Sequence, residues 1–273
     1  MKVPIKGAVV LITGGGGGIG RMMAIECAKR GAKHVLLWGR RQHNIEETAE
    51  LVRQAGGSAD FFVADVSDND AVEAAGAAVL EKYGRVDILI NNAGVVSGKP
   101  FLEQTDEKVK QLFEINVLSL YRVTRQFLGG MVERDRGAVV TVASAAGLIG
   151  VPRQTDYSAS KFAASGFAES LRAELRHQGS NVVSLLVQPF YIDTGMFEGV
   201  KTRFPLILPI LKPEDVTMKT LDAIEAGRYN LVMPPFAYTV KLLKILPAPI
   251  MDALADFFGV TSSMDEFVGH QKK

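Results

Sequence analysis

An α/β fold with a doubly wound parallel sheet is the class this sequence predicts, and three observations carry it. Short apolar runs alternate with longer segments of helical period, the runs are apolar throughout rather than at every second residue, and a glycine-rich loop follows the first of them. A strand covered by helices on both faces buries both sets of its side chains, so its apolar run does not alternate. Repeated strand-helix alternation then gives right-handed crossovers and a parallel sheet.

The elements follow in order. Ala8-Val-Val-Leu-Ile-Thr13 is a strand, Gly14 to Gly18 a loop of five glycines, and Arg21 to Arg30 a helix. His34 to Trp38 is the second strand; Asn44 caps the next helix, with Glu47 placed as in a capping box and Gly56-Gly57 as the stop. Phe61 to Val63 is the third strand, and Ser67 with Asp70 opens the helix after it. Val86 to Ile90, Ala138 to Val142 and Val182 to Val187 repeat the scheme, separated by long helices near 106–134 and 156–177. Beyond Thr194 the rhythm loosens into an apolar segment at 204–211, a helix from Pro213, a short strand at 231–233 and a Pro-broken apolar tail at 236–260. No linker, repeat or charge block interrupts the pattern, so all 273 residues form one domain, with a core over about 5–195 and a substrate-shaping extension after it.

Composition excludes several classes of function. Hydrophobic residues make up 47% of the chain, enough to bury a core, and Lys and Arg number 31 against 30 Asp and Glu, a balance that argues against a nucleic-acid partner. Cys27 is the sole cysteine, and His34, His43, His177 and His270 lack ligand spacing, so neither a disulfide nor a metal site is expected. The longest uncharged run, Gly137 to Pro152, falls short of the roughly 20 residues that span a bilayer. A cytoplasmic protein without a transmembrane segment is the expectation.

The glycine loop sits where an open α/β sheet binds ligands, between a strand's carboxyl end and a helix's N-terminus. Missing Cβ atoms there let a pyrophosphate approach backbone N–H groups. At the end of the second strand the sequence reads Trp38-Gly39-Arg40-Arg41, with no acid before Glu46, and the first 60 residues carry nine basic and five acidic side chains. A carboxylate at that point accepts hydrogen bonds from a ribose, whereas arginines favour a 2′-phosphate. NADP(H) is therefore expected in preference to NAD(H).

Tyr157 and Lys161 share one helical face with Ser160, Ala164 and Ala168, small neighbours that leave room beside the phenol. Lowering a phenol by roughly 3 units requires about 4 kcal/mol, which one ammonium at ~4 Å supplies at an effective dielectric of ~20. Ser144 follows the strand that ends at Val142, so its hydroxyl emerges at the ligand-binding end of the sheet, either as a strand-end cap or beside a substrate oxygen. Asn116 falls in the apolar stripe Val109, Leu112, Phe113, Leu120, Val123, where a buried amide must be a satisfied core group or part of a site network.

Taken together, Thr13-Gly-x-x-x-Gly-x-Gly20, Asn91-Asn-Ala-Gly94, Asn116, Ser144 and Tyr157-x-x-x-Lys161, with thirteen positions from the serine to the tyrosine, resemble the short-chain dehydrogenase/reductase family over residues 5–195. The resemblance implies a seven-stranded Rossmann-like domain. It implies that Tyr157 is the general acid/base, that Lys161 lowers its pKa and holds the nicotinamide ribose, that Ser144 orients the substrate carbonyl and that Asn116 supports a proton relay. Thr13, Gly14, Gly18, Ile19, Gly20, Arg40, Arg41, Asp65, Val66, Asn91, Ala93, Gly94, Pro189 and Thr194 would then hold the cofactor. The family often has Pro-Gly where this chain has Pro189-Phe190, an added aromatic on the nicotinamide side.

Leu36 to Arg40, Asp193 to Phe197, Leu211 to Glu214 and Leu243 to Pro247 are similar to the branch that contains retinol dehydrogenase 10 and 17β-hydroxysteroid relatives. That implies a large apolar alcohol or carbonyl substrate, with Phe190, Tyr191, Met196 and Phe197 beside Ser144 as pocket wall or ordinary core. A 3-oxoacyl-thioester reductase and a non-catalytic NADP-binding scaffold stay open as alternatives. Members of this branch carry an N-terminal anchor; here the first strand begins within ten residues of Met1, so none is expected. The tail would serve as a lid, an oligomer contact or a peripheral membrane contact, and the family implies a homodimer or homotetramer.

Overall fold

The chain runs β1 (Val9–Thr13), α1 (Gly18–Lys29), β2 (His34–Gly39), α2 (Gln42–Gln54), β3 (Ala59–Val63), α3 (Asn69–Tyr83), β4 (Ile88–Asn91), α4 (Asp106–Phe113), α5 (Ser119–Glu133), β5 (Ala138–Val142), α6 (Thr155–His177), β6 (Val183–Pro189), α7 (Pro213–Glu225), β7 (Asn230–Met233), α8 (Thr239–Leu243) and α9 (Ala248–Phe257). These elements come from a computed structural model that describes residues 2–269; His270 lies outside them. The seven strands form one sheet in the order β3-β2-β1-β4-β5-β6-β7, every neighbouring pair parallel. The domain is thus Rossmann-like, as expected.

Successive residues of β1 part company across the sheet. Val10 and Ile12 pack with Met23 of α1, Val52 of α2 and Leu221 of α7. Val9 and Leu11 pack with Val72 of α3, Phe127 of α5 and Leu175 of α6 on the other face. Both faces are therefore covered, which is why the strand runs lack alternation. From β1 the chain crosses to β2 and β3, then returns past β1 to β4. The loops leaving β1 and β4 diverge, and a crevice opens between them at the carboxyl ends.

Three local expectations need correction. Helix α2 begins at Gln42 with Arg41 at its cap position, not at Asn44. Glu47 does not complete a capping box because its carboxylate pairs with Arg21 at 2.8 Å. The cap of α3 is Asp68, whose Oδ1 accepts the N–H groups of Asp70 and Ala71 at 2.9 and 3.2 Å. Ser67 instead donates its hydroxyl to Asp65 at 2.6 Å. The helix expected over 106–134 is interrupted by a π-helical turn at Glu114–Leu118. One extra residue per turn brings Ile115, Asn116 and Val117 all inward, where a regular helix turns one of three consecutive residues out.

Candidate active site

A cleft of about 680 Å³ occupies the crevice, with Gly14, Gly16, Gly17, Gly18 and Ile19 on one wall. Helix α1 starts at the cleft with no side-chain cap, so its first N–H groups face the space. A Cβ at Gly17 would meet nothing within 4 Å, whereas one at Gly20 would run into the Gly14 carbonyl oxygen. The first glycine leaves the wall open; Gly20 lets the helix pack against the loop. Thr13, Gly20 and Asn91 stand behind this wall rather than on it. The Thr13 hydroxyl accepts the N–H groups of Asn92 and Ala93 at 3.0 and 3.1 Å, and Asn92 Nδ2 donates to the Thr13 carbonyl at 3.0 Å. This clamp joins the diverging ends of β1 and β4. No periodicity marks Asn92; its place in the Asn91-Asn-Ala-Gly94 run is what signals it, and it lines the cleft. Asn91 Nδ2 donates to the Thr124 hydroxyl at 3.0 Å.

Arg40, Arg41, Asp65, Val66, Ala93, Gly94, Pro189 and Thr194 all line the cleft. Arg40 lies 3.7 Å from the Asp65 carboxylate, both groups more than a third exposed. That distance and exposure leave the guanidinium donors accessible from the cleft.

At the far end of the cleft, β5, α6 and the π-helical turn bring four polar side chains together. Asn116 is locked: its Oδ1 accepts the Val95 N–H at 2.9 Å, and its Nδ2 donates to the Val95 carbonyl at 2.9 Å and to Ser160 Oγ at 3.0 Å. Ser160 in turn donates to the Tyr157 carbonyl at 2.7 Å. One amide thus ties the loop after β4 to the turn of α6 that presents Tyr157 and Lys161. Lys161 is buried, with Nζ donating to the Val142 carbonyl at 3.0 Å and standing 5.6 Å from the Tyr157 ring centroid. Burial lowers its ammonium from 10.5 to about 8. Burial also pushes the Tyr157 phenol above its ordinary range, an effect the neighbouring Ser144 hydroxyl partly offsets. The Ser144 hydroxyl accepts the Ala146 N–H at 3.1 Å, so it caps a short turn as well as facing the site.

A second cavity, apolar and narrower at about 80 Å³, opens on the other side of this cluster. Ser144, Tyr157, Phe190 and Phe197 line both spaces; Tyr191 lines only the apolar one and Met196 only the cleft. Phe197 stands edge-on to Tyr157 at 5.8 Å and to Tyr191 at 5.1 Å. The outer wall comes from the tail, through Val240, Leu243, Met251, Leu254 and Phe258. Sequence periodicity gave no register for this tail against the site, because its packing partners are remote in the chain.

The short chain dehydrogenase family profile matches residues 8–203, most of the chain. The chain belongs to the short-chain dehydrogenase family. This short-chain dehydrogenase is 40% identical over 272 residues to epidermal retinol dehydrogenase 2 of Mus musculus, covering 98% of this chain and 88% of the relative. It is 36% identical over 296 residues to retinol dehydrogenase 10-A of Danio rerio (98% and 87% covered), and 35% identical over 271 residues to estradiol 17-beta-dehydrogenase 11 of Pongo abelii (98% and 88%). Among solved structures, a short chain dehydrogenase/reductase from Burkholderia phymatum in complex with NAD superposes with a TM-score of 0.79 at 30% identity, covering 89% of this chain and 94% of that one. A metagenomic short-chain oxidoreductase in complex with NADP gives 0.71 at 28% identity, covering 84% and 97%. The chain is accordingly an oxidoreductase with retinol-dehydrogenase-like relatives. Among the described residues, no helix is long and apolar enough to cross a membrane.

Proposed function

We propose that this short-chain dehydrogenase transfers hydride between NADP(H) and a hydrophobic alcohol/carbonyl pair of retinoid, steroid or lipid-like type, with Tyr157 as general acid/base. The observation that carries the proposal is the position of Ser144 and Tyr157 on the boundary between a polar cleft and an apolar cavity. A dinucleotide fits the cleft, because the uncapped start of α1 and the Cβ-free wall at Gly17 suit a pyrophosphate. The cofactor supplies or accepts the hydride.

The protein's own groups do the rest. Ser144 Oγ orients the substrate oxygen by a hydrogen bond, and the Tyr157 hydroxyl passes its proton to that oxygen during reduction or takes one during oxidation. Lys161 places its ammonium beside the phenol and offers its remaining N–H donors to the ribose side of the cleft. Asn116 keeps α6 and the loop at Val95 in register, and Arg40 and Arg41 favour a 2′-phosphate. Phe190 and Phe197 exclude water from the reacting carbon.

The tail supports peripheral contact with a membrane. Leu242 is 68% and Ile245 87% exposed, and each is directly preceded by a lysine, Lys241 and Lys244. Flotation with anionic vesicles tests this contact, and a Leu242→Asp/Ile245→Asp double variant should stay at the bottom of the gradient.

The catalytic reading is tested by NADPH oxidation against retinal, steroid ketones and acetoacetyl thioesters. Retinal or the steroid ketones should be reduced, and Tyr157→Phe should bind NADPH yet lose turnover by several orders of magnitude. Unaltered turnover in that variant ends the proposal, and preference for the thioester transfers it to an acyl reductase. Arg40→Asp should shift preference from NADP(H) toward NAD(H); an unchanged preference removes the cofactor assignment.

A further inference from the structure

The apolar cavity holds a polar group that hydride transfer does not use. No charged side chain lines it among the described residues, and its polar members are Ser144, Gln154, Tyr157, Tyr191 and Thr239. Ser144 and Tyr157 belong to the reacting oxygen. The Tyr191 hydroxyl pairs with Ser263 Oγ at 2.9 Å, and since Ser263 donates to the Val260 carbonyl at 2.7 Å, the Tyr191 proton goes to Ser263. Thr239 donates to the Phe236 carbonyl at 2.7 Å. Gln154 alone is left. It is 1% exposed; among the described residues neither Nε2 nor Oε1 has a partner within 3.5 Å, and the nearest polar group acting on the amide is the Tyr191 hydroxyl, whose own proton goes to Ser263.

A buried primary amide with no close partner costs folding free energy, and native proteins rarely keep one without a use. Position explains the use. Gln154 immediately precedes α6, three residues before Tyr157, so its side chain and the phenol are held by the same helix start and line the same cavity.

We propose that Gln154 binds a second, neutral oxygen of the substrate, a hydroxyl or carbonyl remote from the reacting carbon. An amide serves both, since Nε2 donates to a carbonyl and Oε1 accepts from a hydroxyl. The absence of charge from the cavity walls disfavours a carboxylate or phosphate at that end. The preferred substrate is then a hydrophobic skeleton with two oxygen functions, one oxidised or reduced and one read. Gln154 is a specificity-determining residue on this view, and the assignment rests on the hydride-transfer reading above.

Matched substrates test it: straight-chain aldehydes with and without an ω-hydroxyl, and a steroid monoketone with and without a hydroxyl at its opposite end. The wild-type enzyme should favour the hydroxylated member of at least one pair by roughly 10- to 100-fold in kcat/KM, the range expected when a buried polar group is otherwise left unpaired. Gln154→Met, close in shape and without the amide, should bring that ratio near one, chiefly by losing activity on the hydroxylated member. Gln154→Asn, which retains a shortened amide, should keep part of the preference. A merely structural glutamine would change the melting temperature and leave the ratio alone, and an unchanged ratio in Gln154→Met overturns the proposal. A wild-type enzyme that does not discriminate within either pair overturns it too, whether or not the variants fold. Calorimetric binding of the corresponding alcohols and diols gives the same ratio without turnover. Failure of hydride transfer and failure of this assignment are therefore separate results.

Discussion

Replacing Lys161 by methionine should make the protein more stable near neutrality than in mild alkali, relative to wild type, and the size of the change follows from the buried ammonium. Its pKa falls from 10.5 to about 8 on burial. Between those values the unfolded chain holds a proton that the folded chain has released, so wild-type stability rises with pH. Below pH 8 both states are protonated, and the folded state bears the full cost of a charge out of water. At 1.36 kcal/mol per unit, the difference Lys161→Met minus wild type should decrease by about 2 kcal/mol from pH 7 to pH 9.5. The hydrogen bond from Nζ to the Val142 carbonyl offsets the variant's gain by a nearly constant amount, so it shifts the curve without changing its slope. Burial keeps the Tyr157 phenol protonated in both folded proteins over this range, so it and the other titrating groups contribute equally to the two and cancel. Urea unfolding at the two pH values is the assay, and for m of ~3 kcal/mol/M the midpoints should converge by about 0.7 M. A midpoint difference independent of pH refutes the reasoning, because the lysine would then carry its charge in a solvated setting.

Other outcomes follow from the same geometry. Gly20→Ala places a methyl group on the Gly14 carbonyl oxygen, so it should abolish cofactor binding by calorimetry and lower the melting temperature. Asn116→Leu leaves the Val95 N–H and carbonyl unpaired and should cost about 3 kcal/mol in urea unfolding. Cys27 is fully buried, and burial pushes its thiol up to about 12, so a thiol reagent should label it only after unfolding.

Much of this molecule is legible before folding because local physics writes it into the chain. A strand buried on both faces must be apolar throughout, so the Ala8 to Thr13 and Ala138 to Val142 runs announce a covered parallel sheet. The glycine loop after β1 marks a backbone that must be approached closely, and the Tyr157 to Lys161 spacing sets two groups on one helical face. Errors came where short-range patterns compete. Asn44 and Ser67 are chemically good caps, but Arg41 and Asp68 hold the extended backbone at which the helices start. The π-helical turn at Glu114–Leu118 has no signature in an apolar stripe, and the partners its Asn116 meets, Val95 and Ser160, lie on other elements.

Sequence alone determined the layered α/β class, the glycine-rich loop between β1 and α1 and the family, because each depends on residues close in the chain or on motifs that survive as spacing. Tertiary structure decided the rest. Asn92 clamps β1 to β4, the tail of α8 and α9 walls the apolar cavity, and the Gln154 amide is buried inside it. Each of these is a contact between segments far apart in the chain, and whether a polar atom finds a partner is settled only when the remote segments are packed around it.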